Sequence, residues 1–353
     1  VSDLAQIEPR RVVVIKPSSL GDIVHALPTL VALRERWPRA HLAWVVNQSL
    51  RGLVEGHSCL DEVICFDRAR FGPSPAGLLY AREFGGILKR QGFDLAIDLQ
   101  GLLRSGLMTW ATGARVRIGL SNAREGSRHF YTHLIDTPAH ATHAVDRLLA
   151  VAAAVGGKST SARFELAIDT SSRAWAEERL AGMPRPRLAV NLGARWATKR
   201  WPADSFAAVA KRAADRLGAK LVLVGAREDR LLAQAFDRAI APRACLDLCG
   251  ETSLPRLAAV LGGVDALLSN DTGPLHLAAA AGTRVIGIYT CTSPRATGPY
   301  GPKAIAVETR VWCAASRLKQ CGRMECLTEL EPERVWPAVK TQLLASLRDR
   351  AAA

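Results

Sequence analysis

One stretch constrains the chain more than any other: Val264 to Tyr289, VDALLSNDTGPLHLAAAAGTRVIGIY. Its apolar start predicts a strand over Asp265 to Leu268 that ends in the polar turn Ser269-Asn270-Asp271-Thr272-Gly273. A helix then opens on Pro274, because proline's φ is already helical and the first helical position needs no N–H. Gly282 closes that alanine-rich helix as a C′ residue, and a second apolar strand, Arg284 to Tyr289, follows at once. Such a strand–helix–strand unit belongs to a parallel sheet. Ligands of open α/β sheets bind beyond the carboxyl ends of the strands, where the helix start offers free N–H groups and the positive end of its dipole. The stretch taken alone is equally readable as an ordinary strand–helix turn.

The same pattern runs along the rest of the chain, twice. Strands are predicted at Arg11 to Lys16, Leu42 to Val46, Glu62 to Phe66, Asp94 to Asp98 and Arg115 to Gly119. Helices are predicted at Ile23 to Arg36, bent or restarted at Pro28, and at Leu78 to Arg90, Leu102 to Ala111 and Ala144 to Val155. Gly156 to Ser161 reads as a linker. Strands then resume at Leu188 to Leu192, Lys220 to Val224, near Leu246, in the opening stretch and near Ala304 to Val307. Helices lie between them at Ser205 to Leu217, Asp229 to Ile240 and Leu254 to Leu261, and a last one starts at Glu331-Pro332 and reaches about Arg348. Strands alternating with helices define the α/β class. Two such arrays in 353 residues predict two Rossmann-like domains, 1–160 and 161–331, facing a central cleft.

Composition narrows the partners. A net charge of +14 favours anionic ligands: nucleic acid, an acidic membrane surface or phosphorylated substrates. Nucleic acid is disfavoured, because Lys and Arg are dispersed and no nucleic-acid motif occurs. No apolar run is long enough to span a bilayer and the start of the sequence has no signal pattern, so a cytoplasmic protein is expected. Eight cysteines are scattered without a CxxC pair; Cys313, Cys321 and Cys326 cluster without a standard zinc spacing, and reduced thiols are expected. Walker and GxGxxG motifs are absent, which argues against P-loop and nicotinamide chemistry. His133, His140 and His143 lack metal-motif spacing and read as loop and helix-start residues. No metal and no cofactor is expected.

Four turns carry polar groups that such a cleft would gather. In Ser18-Ser19-Leu20-Gly21-Asp22 the glycine permits a tight turn, and Asp22 is either a helix cap or a general base. Asn191 to Pro202 puts three cations and two indoles just past a strand; Lys199 or Arg200 could neutralise a departing diphosphate. In Val224 to Asp229, Glu228 stands where nucleotide folds place a ribose-binding carboxylate, with capping as the alternative. The opening turn contributes Asp271, Thr272, Gly273 and His276.

These residues lie in blocks that resemble a known family. VVVIKPSSLGDIVHALPTLVALRERWP, DLQGLLRSGLMTWATGARVRIGL, NAREGSRHFY and HAVDRLLAVAAAVG are similar to the N-terminal domain of the ADP-heptose:lipopolysaccharide heptosyltransferases, glycosyltransferase family 9. NLGARWATKRWP and SNDTGPLHLAAAAGTRVIGIYTCTSP are similar to their C-terminal domain. The N-terminal blocks look most like heptosyltransferase I, whereas CLTELEPERVWPAV is closer to heptosyltransferase II. The resemblance implies a GT-B fold, with acceptor on the first domain, nucleotide sugar on the second, and a last helix, 332–353, crossing back to the first. It implies metal-independent inversion, ADP-heptose as donor, and a Kdo-lipid A or heptosylated inner-core acceptor at the cytoplasmic face of the inner membrane. Asp22 then corresponds to the general base and Lys199 to the phosphate-contacting lysine. Glu228, Asp271, Thr272, Gly273 and His276 correspond to donor-binding positions. Ser19, Gly21, Arg124 and Arg147 are expected on the acceptor side, with Arg68, Arg70, Arg115, Arg117 and Arg128 as further cations. Ala197 and Thr198 depart from relatives that carry acidic residues there. Three rivals remain: a GT-B enzyme using another nucleotide sugar or a later core acceptor, a two-domain protein that binds ligand without chemistry, and, on charge alone, a nucleic-acid-binding protein.

Overall fold

The computed structural model describes residues 4–158, 162–242 and 244–352. Of the expected linker, Ser159, Thr160 and Ser161 lie outside the described residues. The chain divides into two compact units, Val1–Ala167 and Ile168–Ala353.

The first unit is built on a six-stranded parallel sheet: β1 (Arg11–Ile15), β2 (His41–Asn47), β3 (Glu62–Phe66), β4 (Leu95–Asp98), β5 (Val116–Leu120) and β6 (His133–Ile135). The order is β3-β2-β1-β4-β5-β6, so the chain reverses its direction of travel between β1 and β4. Val14 pairs with Trp44 on one side and Ile97 on the other, all fully buried, which is why β1 reads as a continuous apolar run. Val13, Val45, Phe66, Phe84, Leu88 and Met108 form a core on one face of the sheet. The helix Leu20–Arg36 is buried continuously from Ile23 to Leu33 and runs unbroken through Pro28. The lost N–H at Pro28 is thus outweighed by packing on every side, and the expected restart does not occur.

The second unit repeats the plan with β7 (Arg187–Asn191), β8 (Lys220–Val224), β9 (Cys245–Asp247), β10 (Ala266–Asn270), β11 (Arg284–Tyr289) and β12 (Ala304–Glu308), in the order β12-β11-β10-β7-β8-β9. Both sheets therefore have the strand order of dinucleotide-binding folds, with the switch point between β1 and β4 in one and between β7 and β10 in the other. Gly218 and Gly282 end their helices at φ +66 and +81, the left-handed conformation that their closing role requires.

Several elements escape the sequence reading, β6 and the helices Thr170–Leu180, Pro294–Thr297 and Glu325–Thr328 among them. β6 is three residues long. The helix Thr170–Leu180 buries only Ser172, Ala176 and Leu180. The C-terminal helix, Pro332–Ala351, sends Val335, Val339 and Leu343, one stripe at i, i+4, i+8, into the core of the second unit with Leu188, Phe206 and Ile286. Ser346 fastens it by donating to Asp265 Oδ1 at 2.9 Å. No described helix is long and apolar enough to cross a membrane.

Candidate active site

In each unit the polar groups gather at the carboxyl end of the sheet, beside its switch point. In the first, β1 runs into Lys16, whose side chain is buried and donates to the Leu99 carbonyl at 2.9 Å across the switch point. Beside it Asp98, at the end of β4, accepts from the Tyr131 hydroxyl at 2.7 Å and from the Gln100 and Gly101 amides at 2.7 and 3.0 Å. Tyr131 reaches Asp98 by lying flat on β5: a Cβ at Gly119 would fall 2.2 Å from its ring, so that position tolerates only glycine. Burial raises the Asp98 carboxyl and the Tyr131 hydroxyl above their usual ranges. Gln100 Oε1, in the adjoining turn, is buried without a partner among the described residues.

Asp22 enters from the first turn of Leu20–Arg36. Its Oδ2 accepts from both the Ser19 amide at 3.0 Å and the Ser19 hydroxyl at 2.6 Å. The capping interaction read from sequence is thus present, on one oxygen. The other, Oδ1, lies 4.0 Å from Lys16 Nζ, and the side chain is 43% exposed. Burial pushes this carboxyl up, but Lys16, the Ser19 bonds and His25 more than compensate, and it sits below the usual carboxylate range. Gly21 lies inside the helix and takes no left-handed turn. Arg147 is close enough to Lys16 to disfavour its charge, and its guanidinium donates to the Thr142 carbonyl. Arg124 is exposed beside the turn after β4, its amide bonded to the Gly101 carbonyl at 2.8 Å. Arg115 and Arg117 do not join this group. They lie at the other end of β5, where Arg117 donates to the Phe130 and Ala114 carbonyls at 2.7 and 2.8 Å.

In the second unit the switch point is closed by asparagines. Asn191 at the end of β7 donates to Ser269 Oγ at 3.0 Å and Thr272 Oγ1 at 3.2 Å. Asn270, expected in a turn, is a buried end of β10 that donates to the Leu192 carbonyl at 2.8 Å and accepts from the Trp201 amide at 3.1 Å. These bonds fix the loop that carries Lys199. Its Nζ lies 2.5 Å from Asp271 Oδ2 and 3.3 Å from the Asp271 carbonyl, with the side chains only 16% and 7% exposed. Thr292 also donates to Asp271 Oδ2 at 2.6 Å, and His276 Nε2 stands 3.5 Å from Oδ1. Against the effect of burial, His276 and Lys199 hold the Asp271 carboxyl well below the ordinary range. Thr272 occupies the N-cap position of the helix Gly273–Ala280, with Pro274 in its first turn. Asp271 and His276 therefore anchor Lys199 at the mouth of a helix start, an arrangement suited to an anion.

Glu228 is exposed on the short 3-10 turn after β8. Its neighbour Asp229 turns inward, accepting from the Ala226 amide at 2.9 Å and lying so close to the next turn that a Cβ at Gly193 would fall 2.3 Å from Oδ2. Asp229, Lys16, Asp98, Asn270 and Thr292 are the site residues that sequence reasoning missed. A lysine or aspartate ending an apolar strand run was the available signal for Lys16 and Asp98. His143 is a helix-start residue as expected, its Nδ1 accepting from the Val145 amide at 3.1 Å. All eight cysteines are free thiols. No group of three or more His, Cys, Asp or Glu among the described residues could hold a metal ion.

Two Rossmann-like units, each with ligand-type polar groups at its switch point, define the architecture of nucleotide-sugar enzymes of the GT-B type. The sequence matches glycosyltransferase family 9 (heptosyltransferase) over residues 81–327. It is 29% identical to lipopolysaccharide heptosyltransferase 1 of Pseudomonas aeruginosa, across 95% of this chain and 98% of that protein. It is 24% identical to lipopolysaccharide heptosyltransferase 2 of Escherichia coli, across 95% and 99%. Among solved structures, a family 9 glycosyltransferase from Veillonella parvula superposes with a TM-score of 0.82 at 25% identity, covering 97% of this chain and 99% of that one. The E. coli heptosyltransferase WaaC with ADP superposes with a TM-score of 0.74 at 25% identity, covering 94% and 99%. The chain belongs to glycosyltransferase family 9, the heptosyltransferases, and is a glycosyltransferase of GT-B fold.

Proposed function

We propose that this enzyme moves heptose from ADP-heptose to the Kdo/heptose inner core of lipopolysaccharide, in a single inverting displacement that needs no metal. The observation that carries the donor half is the Lys199–Asp271 pair set against the helix start at Thr272. Solved relatives include WaaC with ADP and with ADP-2-deoxy-2-fluoro heptose, which supports the choice of nucleotide.

Asp22 acts as general base. Its Oδ2 is held by Ser19, so Oδ1 takes the proton of the acceptor hydroxyl. A carboxylate held below its usual range by Lys16 is ionised but a weak base, so proton transfer comes late, after the bond to ADP has stretched. Leaving-group stabilisation then carries much of the barrier. As charge builds on the bridging oxygen, Lys199 and the amides of the helix start hold it more strongly than they held the ground state. Glu228, Gly273 and His276 complete the donor side. Ser19, Gly21, Arg124 and Arg147 complete the acceptor side, where cations suit a carboxylate- and phosphate-bearing core.

The enzyme works at the cytoplasmic face of the inner membrane as a peripheral protein. Leu103, Leu107 and Trp110 form an exposed apolar stripe at i, i+4, i+7 on one helix, which supports contact with a membrane surface.

The decisive assay incubates the full chain with ADP-heptose and a panel of truncated lipopolysaccharide cores. It reads ADP release and product, and the anomeric configuration by NMR. Transfer with inversion, undiminished in EDTA, is expected. ADP binding without transfer to any core would favour a binding protein, and transfer only from another nucleotide sugar would replace the donor.

A further inference from the structure

The loop after β12 folds back over the loop that carries Lys199, and the two are stitched together inside the second unit. Thr198, buried, donates to the Leu318 carbonyl at 2.7 Å. The Arg317 amide donates to the Cys291 carbonyl at 2.7 Å, and the Ala315 amide to the Thr290 carbonyl at 3.0 Å. Thr290 in turn donates to the Thr198 carbonyl at 2.6 Å. The residue these bonds deliver is Lys319. Its ammonium lies 5.5 Å from the centre of the Trp196 ring, and the Lys199 ammonium lies 4.8 Å from the same centre. One indole thus contacts two cations from distant parts of the chain.

Their surroundings differ. Lys199 is offset by Asp271 at 2.5 Å. Lys319 is exposed and makes no ion pair among the described residues. A diphosphate ester carries more than one negative charge and gains more on leaving, which a lysine already shared with a carboxylate only partly balances. We propose that Lys319 is a second diphosphate-binding cation of the donor site, set beside Lys199 by the Trp196 ring. The proposal rests on the donor reading above. It also gives Thr198 a purpose: its hydroxyl anchors the Lys319 loop, which an acidic residue at that position would not do by donating.

The test is calorimetric titration of the full chain with ADP and with adenosine, which has the same base and ribose but no phosphate. Lys319→Met is expected to weaken ADP roughly fivefold to tenfold while leaving adenosine unchanged. Lys319→Arg is expected to keep most ADP affinity, and Lys319→Glu to lose more than Lys319→Met. The ADP affinity of Lys319→Met should also fall less steeply with salt than that of the unaltered chain. Equal losses for ADP and adenosine would make Lys319 a merely structural part of the loop, and an unchanged ADP affinity would remove it from the site; either overturns the proposal. An unaltered chain that binds no ADP would overturn the donor reading itself, and this inference with it.

Discussion

In the proposed function Lys199 does two things, neutralise Asp271 and bind a diphosphate, and a double-mutant cycle separates them. Lys199→Met leaves Asp271 with a side chain only 7% exposed and its cation gone. Removing one partner of a buried pair costs about 3–5 kcal/mol, because the remaining charge stays desolvated. Thr292 at 2.6 Å and His276 at 3.5 Å remain beside the carboxylate, so the low end, about 3 kcal/mol, is the expected loss. For a unit the size of Ile168–Ala353 that is a fall of roughly 6–12 °C in its melting temperature. Asp271→Asn removes the charge that Lys199 answers. In the double variant Lys199→Met/Asp271→Asn no buried charge is stranded, and more than half of the lost stability should return. ADP affinity should not return, since the cation that meets the diphosphate is still absent. Differential scanning calorimetry gives the stability cycle and titration calorimetry the binding cycle. A double variant no more stable than Lys199→Met would refute the pairing argument. Recovery of ADP affinity in the double variant would show that Lys199 serves only to neutralise Asp271.

Asp22→Asn should reduce turnover by roughly a hundred- to ten-thousandfold while ADP affinity stays within error, as measured by ADP release and calorimetry. Lys16→Met should move the acid limb of the pH profile of kcat/KM to higher pH, because the ammonium 4.0 Å from Asp22 Oδ1 favours the carboxylate; an unmoved limb would break that link. Stability should also fall in acid. The Asp271 carboxyl is depressed in the folded state, so its contribution is complete above the unfolded value, near 3.9, and is lost as pH falls toward the folded one. Urea titrations at descending pH should show that loss, and Asp271→Asn should flatten it. Gly119→Ala would drive a Cβ to 2.2 Å from the Tyr131 ring and displace it from Asp98, at a cost of about 2–4 kcal/mol; pairing it with Tyr131→Leu should recover much of that.

The sequence made legible what is decided locally. A buried parallel strand is apolar along its whole length, and helices such as Gly273–Ala280 open with Pro in the first turn and are closed by Gly. The stretch Val264 to Tyr289 was readable for that reason, down to Gly282 at φ +81. What stayed hidden is decided by partners far along the chain. Asp229 and Glu228 are adjacent carboxylates with the same residue-type signal, yet only Asp229 turns inward, where it accepts from the Ala226 amide and packs against Gly193. Asn270 looked like a turn residue because its type favours turns; in place its two side-chain bonds, to Leu192 and Trp201, make it a strand end. Lys16 looked like the polar end of a strand, yet its ammonium is spent on the Leu99 carbonyl and on Asp22. Lys16 and Asn270 satisfy a neighbouring strand's end groups across a switch point, where the chain reverses and no helix or turn can do so from within its own sequence. The polar residues hardest to place from sequence are therefore the ones that hold Asp22 and Lys199 in position, and the substitutions proposed at Lys16, Gly119 and Asp271 measure how much of the chemistry depends on them.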